Sequence, residues 1–219
     1  MFNQIVSILF CLLFIVNSAN SLECFLKKHT IDFKILQTEI DLMWEKNYAP
    51  VGIEVIENGK DRGIWVLYID SRGIDYRNWS VSRYDNPETL KNDILLAFQE
   101  DWVPLDLSIT KKFGYILYLK QKHNSTDWQI QSADNLADLS VLIGKLALKD
   151  FIPIGLSVDS GEIVIQFIKV TNHSVRNWKL MEYSSQNDLE TDLNNLTGNG
   201  WEPCGFMFWN KKFTVLLLN

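Results

Sequence analysis

The side chains of this chain that could do chemistry are three histidines, three cysteines, eight tryptophans and 27 carboxylates. His29, His123 and His173 have no Cys or His at metal-ligand spacing, so the sequence predicts no metal site and no cofactor. His123 and His173 each stand five residues before a tryptophan and read as solvated linker residues. A Gly-x-Ser-x-Gly nucleophile motif is absent, as is a glycine-rich loop that could cradle phosphate. The carboxylates form no distinctive pair along the chain, so no catalytic residue is assigned.

Trp209 differs from the other tryptophans because it abuts Asn210-Lys211-Lys212 at a hairpin tip, with Lys111-Lys112 at a second tip. An aromatic ring beside two cations could stack on a sugar or anchor a partner. It could equally be a cross-strand packing residue, and the lysine pairs could be solubilising turn residues. Asn78, Asn124, Asn172 and Asn195 each open an Asn-x-Ser/Thr sequon, a possible glycosylation site in a glycosylating host.

Cys11 lies within the run Ile5–Val16, apolar but for Ser7, which precedes Asn17-Ser18-Ala19-Asn20-Ser21. Twelve residues rise only ~18 Å as a helix, short of a ~30 Å hydrocarbon core. With small residues following, residues 1–21 read as a cleaved signal peptide rather than an uncleaved anchor. A secreted chain, extracellular or periplasmic, with no membrane span after cleavage is expected. It retains Cys24 and Cys204, and an oxidising compartment predicts a disulfide between them. Closing so long a loop would stabilise the fold by ~5 kcal/mol in the chain-entropy picture. The net charge of −6 argues against a nucleic-acid partner, which needs a basic surface.

The elements that must position these groups are marked by an internal spacing. From Trp79, Trp128 and Trp178, apolar or helix-face residues recur at +11, +15 and +19, an aromatic at +23 and proline at +25. The same spacing from Phe25 gives Leu36, Ile40, Trp44, Tyr48 and Pro50. Steps of four lie on one face of a helix. Asn47, Asp101, Asp150 and Gly200, just before the +23 aromatic, suit the left-handed end of that helix. Proline then bars the helix from resuming. An apolar segment closes each unit (Ile64–Ile69, Tyr115–Leu119, Ile163–Ile168, Val215–Leu218) and reads as a central strand.

The predicted fold is α+β, with four strand–helix–strand–strand repeats at residues 22–76, 77–126, 127–175 and 176–219. The second and fourth share Arg-Asn-Trp, Tyr84 with Tyr183, and Asp93 with Asp192. The order is therefore A-B-A-B, and a single cooperative pseudo-twofold assembly is expected, of largely antiparallel sheet with helices on one face. The fourth unit reads Leu193-Asn-Asn-Leu196, then Gly200-Trp201-Glu202-Pro203. It resembles a small bacterial domain of unknown function with a Leu-Asn-x-Leu…Gly-Trp-Glu signature. The resemblance implies the same element order and carries no activity.

The function expected from these observations is non-catalytic binding of a protein or a glycan. The alternatives are a hydrolase using carboxylates at the repeat interface, and a structural envelope component. A hydrolase would need polar groups converging at the pseudo-twofold centre.

Overall fold

The computed structural model describes residues 23–57, 59–72, 78–85, 87–110, 113–170 and 177–219, with residues 87–89 described in backbone only. Residues 1–21, expected to be a signal peptide, and Lys111, Lys112, Asn172 and His173 lie outside these residues. The same element order occurs four times. Unit one is β1 (Cys24–His29), α1 (Phe33–Trp44), β2 (Tyr48–Ile56) and β3 (Gly63–Asp70). Unit two is β4 (Asn78–Tyr84), α2 (Pro87–Phe98), β5 (Trp102–Ile109) and β6 (Gly114–Lys120). Unit three is β7 (Ser125–Ala133), α3 (Leu136–Ala147), β8 (Phe151–Asp159) and β9 (Glu162–Val170). Unit four is β10 (Trp178–Tyr183), α4 (Gln186–Thr197), β11 (Glu202–Trp209) and β12 (Lys212–Leu218).

Local chemistry sets these boundaries. Asp32, Asn135 and Ser185 cap α1, α3 and α4 with side-chain oxygens that accept first-turn N–H groups. Asn47, Asp101, Asp150 and Gly200 adopt φ of 65°, 62°, 63° and 83°, so the residue types that tolerate a left-handed backbone end all four helices. Each unit forms a three-stranded antiparallel sheet in the order first–third–second, which puts the apolar third strand in the middle. The stripes Leu36-Ile40, Leu90-Ile94, Leu139-Ile143 and Leu189-Leu193 are buried beneath the helices.

The second strand of each unit lies at a sheet edge, and these four inner strands lie against one another. β2 meets β5, β5 meets β8, β8 meets β11, and β11 returns to β2. The first and fourth units therefore touch. The inner strands belong to four separate sheets, so their facing edges need acceptors from elsewhere. Side chains supply them. Val55 N–H donates to Ser108 Oγ of the next unit (2.8 Å) and Ile109 N–H to Ser157 Oγ of the next (2.8 Å). Phe208 N–H donates to the Glu54 carboxyl. Asp106 joins three strand segments, accepting from Ile53 N (2.8 Å), Leu156 N (2.8 Å) and Leu107 N (3.0 Å).

Glycine leaves the room for this. Gly52, Gly155 and Gly205 stand where unit two has Asp106, two residues after the proline. A Cβ on Gly205 would lie 2.9 Å from the backbone nitrogen of Gly155. One on Gly155, at φ +63°, would lie 2.2 Å from Gln166 Nε2 and 2.9 Å from Asp106 Oδ1. A register shift in each inner strand, between Pro50 and Gly52, Pro104 and Asp106, Ile154 and Leu156, and Pro203 and Gly205, marks the bulge that turns these residues inward.

The outer edge of β1 is closed differently. Gln186, Glu190 and Asn194, one helical turn apart on α4, bond its backbone. Cys24 N–H donates to Asn194 Oδ1 (2.7 Å) and Leu26 N–H to Glu190 Oε1 (2.8 Å), while Gln186 Nε2 donates to Leu26 O (2.7 Å). A polar helix stripe thus takes the place of a fourth strand.

Two expectations need correction. Trp79, Trp128 and Trp178 pair with Leu119, Ile168 and Leu218. In unit one the corresponding residue, Ile69, pairs with Cys24 and not with Phe25. The spacing from Phe25 therefore runs one residue late in the first strand, and Phe25 stacks on Tyr68 instead (5.3 Å). Cys24 and Cys204 are also not bridged; both are free buried thiols. Cys24 sits on an outer strand with its sulfur hydrogen-bonded to Thr197. Cys204 sits on an inner strand with Sγ near Pro153 O (3.7 Å) and Leu216 O (3.5 Å). The first and last units meet without these sulfurs facing each other. Burial pushes the Cys24 thiol up to about 12 and raises that of Cys204 as well, which keeps both unreactive.

Burial also raises both axial carboxyls, with no cation beside either. Glu54 rises to about 8, with Ser108, Phe208 and Ser157 partly offsetting, and Asp106 rises well above the carboxylate range. Removing the acceptor in Asp106→Ala strands three N–H groups at ~1–3 kcal/mol each. Urea unfolding should show a loss of about 3 kcal/mol or more, with Asp106→Asn losing less. A group raised on folding contributes stability that is complete below its unfolded value, near 4.3, and lost as pH climbs through its folded value. Thermal unfolding midpoints should therefore fall between about pH 5 and 8, at up to ~1.4 kcal/mol per pH unit from Glu54. Glu54→Gln, which keeps an acceptor and cannot ionise, should flatten that decline.

Candidate functional site

The polar convergence that a hydrolase would need does exist at the centre, but it is sealed. Asp106, Ser108 and Ser157 are fully buried and Glu54 is 4% exposed. Ser108 Oγ donates to Glu54 Oε2 at 3.0 Å and Ser157 Oγ contacts the same atom at 3.4 Å. With the N–H groups of Ile53, Val55, Leu107, Ile109, Leu156 and Phe208 matched to its oxygens, this cluster is a strand-edge lock rather than a reaction centre.

His29 is likewise structural. Its side chain is buried, with Nδ1 hydrogen-bonded to Glu39 and Nε2 3.1 Å from the Tyr68 hydroxyl. Burial lowers the His29 pKa and raises that of Tyr68; the glutamate only partly restores His29. A neutral ring that accepts from Tyr68 and donates to Glu39 satisfies all three groups. A shallow depression of about 510 Å³ opens beside it, lined by Lys28, Thr30, Ile31, Glu39, Arg62 and Gly63. His123, read from sequence as solvated, is half-buried: its Nδ1 accepts from Ser125 N (3.1 Å) and its ring meets Phe98 edge-on (5.1 Å). Among the described residues no group of three His, Cys, Asp or Glu side chains is placed to hold a metal ion. Among the same residues no helix is long and apolar enough to cross a membrane.

The described tip residues Trp209, Lys211 and Lys212 do not gather into one site. Trp209 is partly buried and packs against the core, opposite Lys212 across the β11–β12 hairpin. Asn210 (φ 50°) and Lys211 (φ 65°) form the two-residue turn, and Lys211 is exposed. Lys212 Nζ lies 3.5 Å from Glu182 Oε1. Lys111 and Lys112 fall outside the described residues. The sequon residues Asn78, Asn124 and Asn195 are exposed.

The concavity best suited to a ligand is in unit two. It holds about 370 Å³, within the range of small-molecule sites, between the face of β4 and β6 and helix α2. Ser80, Ser82 and Tyr84 come from β4, Tyr118 from β6, Asp93 and Ala97 from α2, and Trp102 from the start of β5. Strand alternation puts Ser80, Ser82 and Tyr84 on one face, and the register sets Ser80 opposite Tyr118 and Tyr84 opposite Gly114.

The fourth unit shows why the groove is open. Lys179, Met181, Leu196 and Phe213 stand there in place of Ser80, Ser82, Ala97 and Gly114. Lys179 Nζ sits 3.9 Å from the Trp201 ring centroid, and the Tyr183 hydroxyl donates to Asp192 (2.7 Å). In unit two the serine leaves the corresponding space unfilled. Tyr84 lies across Gly114, where an added Cβ would come 2.0 Å from its Cζ, and so does not reach Asp93. Asp93, the counterpart of Asp192, is exposed and has no hydrogen bond among the described residues.

Sequence reasoning had singled out Tyr84, Tyr183, Asp93 and Asp192 as shared, and missed the groove. The signal was the loss of bulk at Ser80, Ser82, Ala97 and Gly114 against otherwise matched positions. No protein-family model matches this chain, and none of the curated proteins does.

Proposed function

We propose that the protein is an exported, non-catalytic binding protein whose ligand sits in the groove of unit two. The observation that carries this reading is the contrast within one chain: the same framework is plugged by Lys179 in unit four and left open, with Asp93 unengaged, in unit two. The sealed condition of the axial carboxyls favours binding over hydrolysis, since neither reaches solvent-accessible space. Export rests on the apolar segment Ile5–Val16 followed by small residues.

The four units, in this reading, descend from one module duplicated twice, as an A-B-A-B pair related to the small bacterial domain that unit four resembles. Supporting a pseudo-twofold arrangement, α2 packs on β7 of the following unit as α4 packs on β1 of unit one. The hairpin tips are secondary to the groove, because Trp209 is engaged with the core.

The test is Ser80→Lys, which sets in the groove the side chain found at the same place in unit four, where Asn219 stands in place of Lys120. The variant should keep its fold, read by circular dichroism, and lose retention of material that the wild-type protein, immobilised, captures from the host's secreted fraction. Equal retention by both would remove the groove from consideration. The exported chain should have the mass of residues 22–219; a mass retaining residues 1–21 would overturn cleavage.

A further inference from the structure

Resting on the groove as the binding site, we infer that its ligand is a neutral pyranose unit of a glycan. The room, the aromatic content and the charge arrangement each narrow the choice. About 370 Å³ suits one or two sugar rings better than a folded protein's side-chain cluster. Trp102, Tyr84 and Tyr118 give aromatic surface to the same concavity that holds the Ser80 and Ser82 hydroxyls and the Asp93 carboxylate. A sugar ring has that dual character: an apolar C–H face for an aromatic ring and a rim of hydroxyls that donate to a carboxylate or serine oxygen.

Charge excludes the nearest competitors. A cationic ligand would be drawn to Asp93, but Lys120 Nζ already lies 5.2 Å from the Trp102 ring centroid and would repel a second cation there. An anionic ligand would be repelled by Asp93, and Lys120, the cation on the other side, is already stacked on Trp102. Arg83 lines the groove, but its guanidinium is held between Asp85 (3.2 Å) and the Phe113 ring (4.2 Å). A neutral hydroxyl-rich ligand meets neither penalty. It also meets an acceptor, Asp93, whose counterpart Asp192 already receives a hydroxyl from Tyr183. The place vacated by a tyrosine hydroxyl is thus offered to a sugar hydroxyl.

The test compares one ring in three charge states by ligand-observed NMR titration against the full exported chain: methyl glucoside, glucosamine and glucuronate, with the methyl glycosides of galactose, mannose and N-acetylglucosamine as stereochemical variants. At least one neutral glycoside should bind, and glucosamine and glucuronate should bind at least about tenfold more weakly than the neutral ring, the discrimination expected from a misplaced charge of ~1.4 kcal/mol. Asp93→Asn and Ser80→Lys should each abolish the neutral signal with the circular dichroism spectrum unchanged. Gly114→Ala, which displaces Tyr84 toward Asp93, should weaken it. Binding that prefers a charged ring, or survives Ser80→Lys, overturns the inference. If no neutral glycoside binds while Ser80→Lys still ends retention of secreted material, the groove stands as a binding site and the ligand class falls. If Ser80→Lys leaves that retention intact, the site itself is wrong.

Discussion

A three-stranded sheet has two bare edges, and this protein buries one edge of every sheet at its centre. A buried N–H without a partner costs as much as a lost hydrogen bond, so the fold exists only if those edges find acceptors. The solution is an offset ring in which oxygen atoms on one inner strand take N–H groups from the strand before or after it. Ser108, Ser157 and Glu54 do so at corresponding places, and Asp106 ties three segments at once. The two carboxyls must be neutral or fully hydrogen-bonded to sit there, which makes the centre sensitive to alkali and indifferent to solvent ions.

The outer edges face a milder version of the same problem, and the chain treats them unequally. On β1 a polar stripe of α4 completes the missing ladder, which also joins the end of the chain to its beginning. On β7 the link from the preceding helix includes an ion pair, Lys91 Nζ to Asp127 Oδ1 at 3.1 Å. These contacts place α2 and α4 each between its own sheet and the next one, and the position of α2 creates the concavity over β4 where side chains are small.

Features decided by a residue and its immediate neighbours were legible in the sequence. The left-handed residues before each +23 aromatic, the helix stripes and the apolar central strands follow from local backbone chemistry and periodicity. Features decided by which unit faces which were not. Cys24 and Cys204 look like partners because they are the two cysteines outside the apolar leader of a chain read as exported, yet one sulfur faces a helix and the other an inner strand. The one-residue slip that puts Cys24 where other units have tryptophan is invisible to spacing because helix and proline positions still agree. Asp106 was within reach: at +27 the units carry Gly52, Asp106, Gly155 and Gly205, and a lone carboxylate among glycines marks a place where backbones converge.

The ring is not uniform around its circumference. Where Glu54, Ser108 and Ser157 offer oxygen, the fourth unit has Met207, so the step from Val158 into β11 lacks that link. Where α4 carries Gln186, Glu190 and Asn194, α3 carries Leu136, Ser140 and Gly144, and the space beside Gly144 is open. Both absences fall on the junction between units three and four. That junction is joined instead by close backbone approach, with Gly155 against Gly205 and Cys204 Sγ beside Pro153 O, so its fastening is steric fit where the other joints use side-chain oxygen.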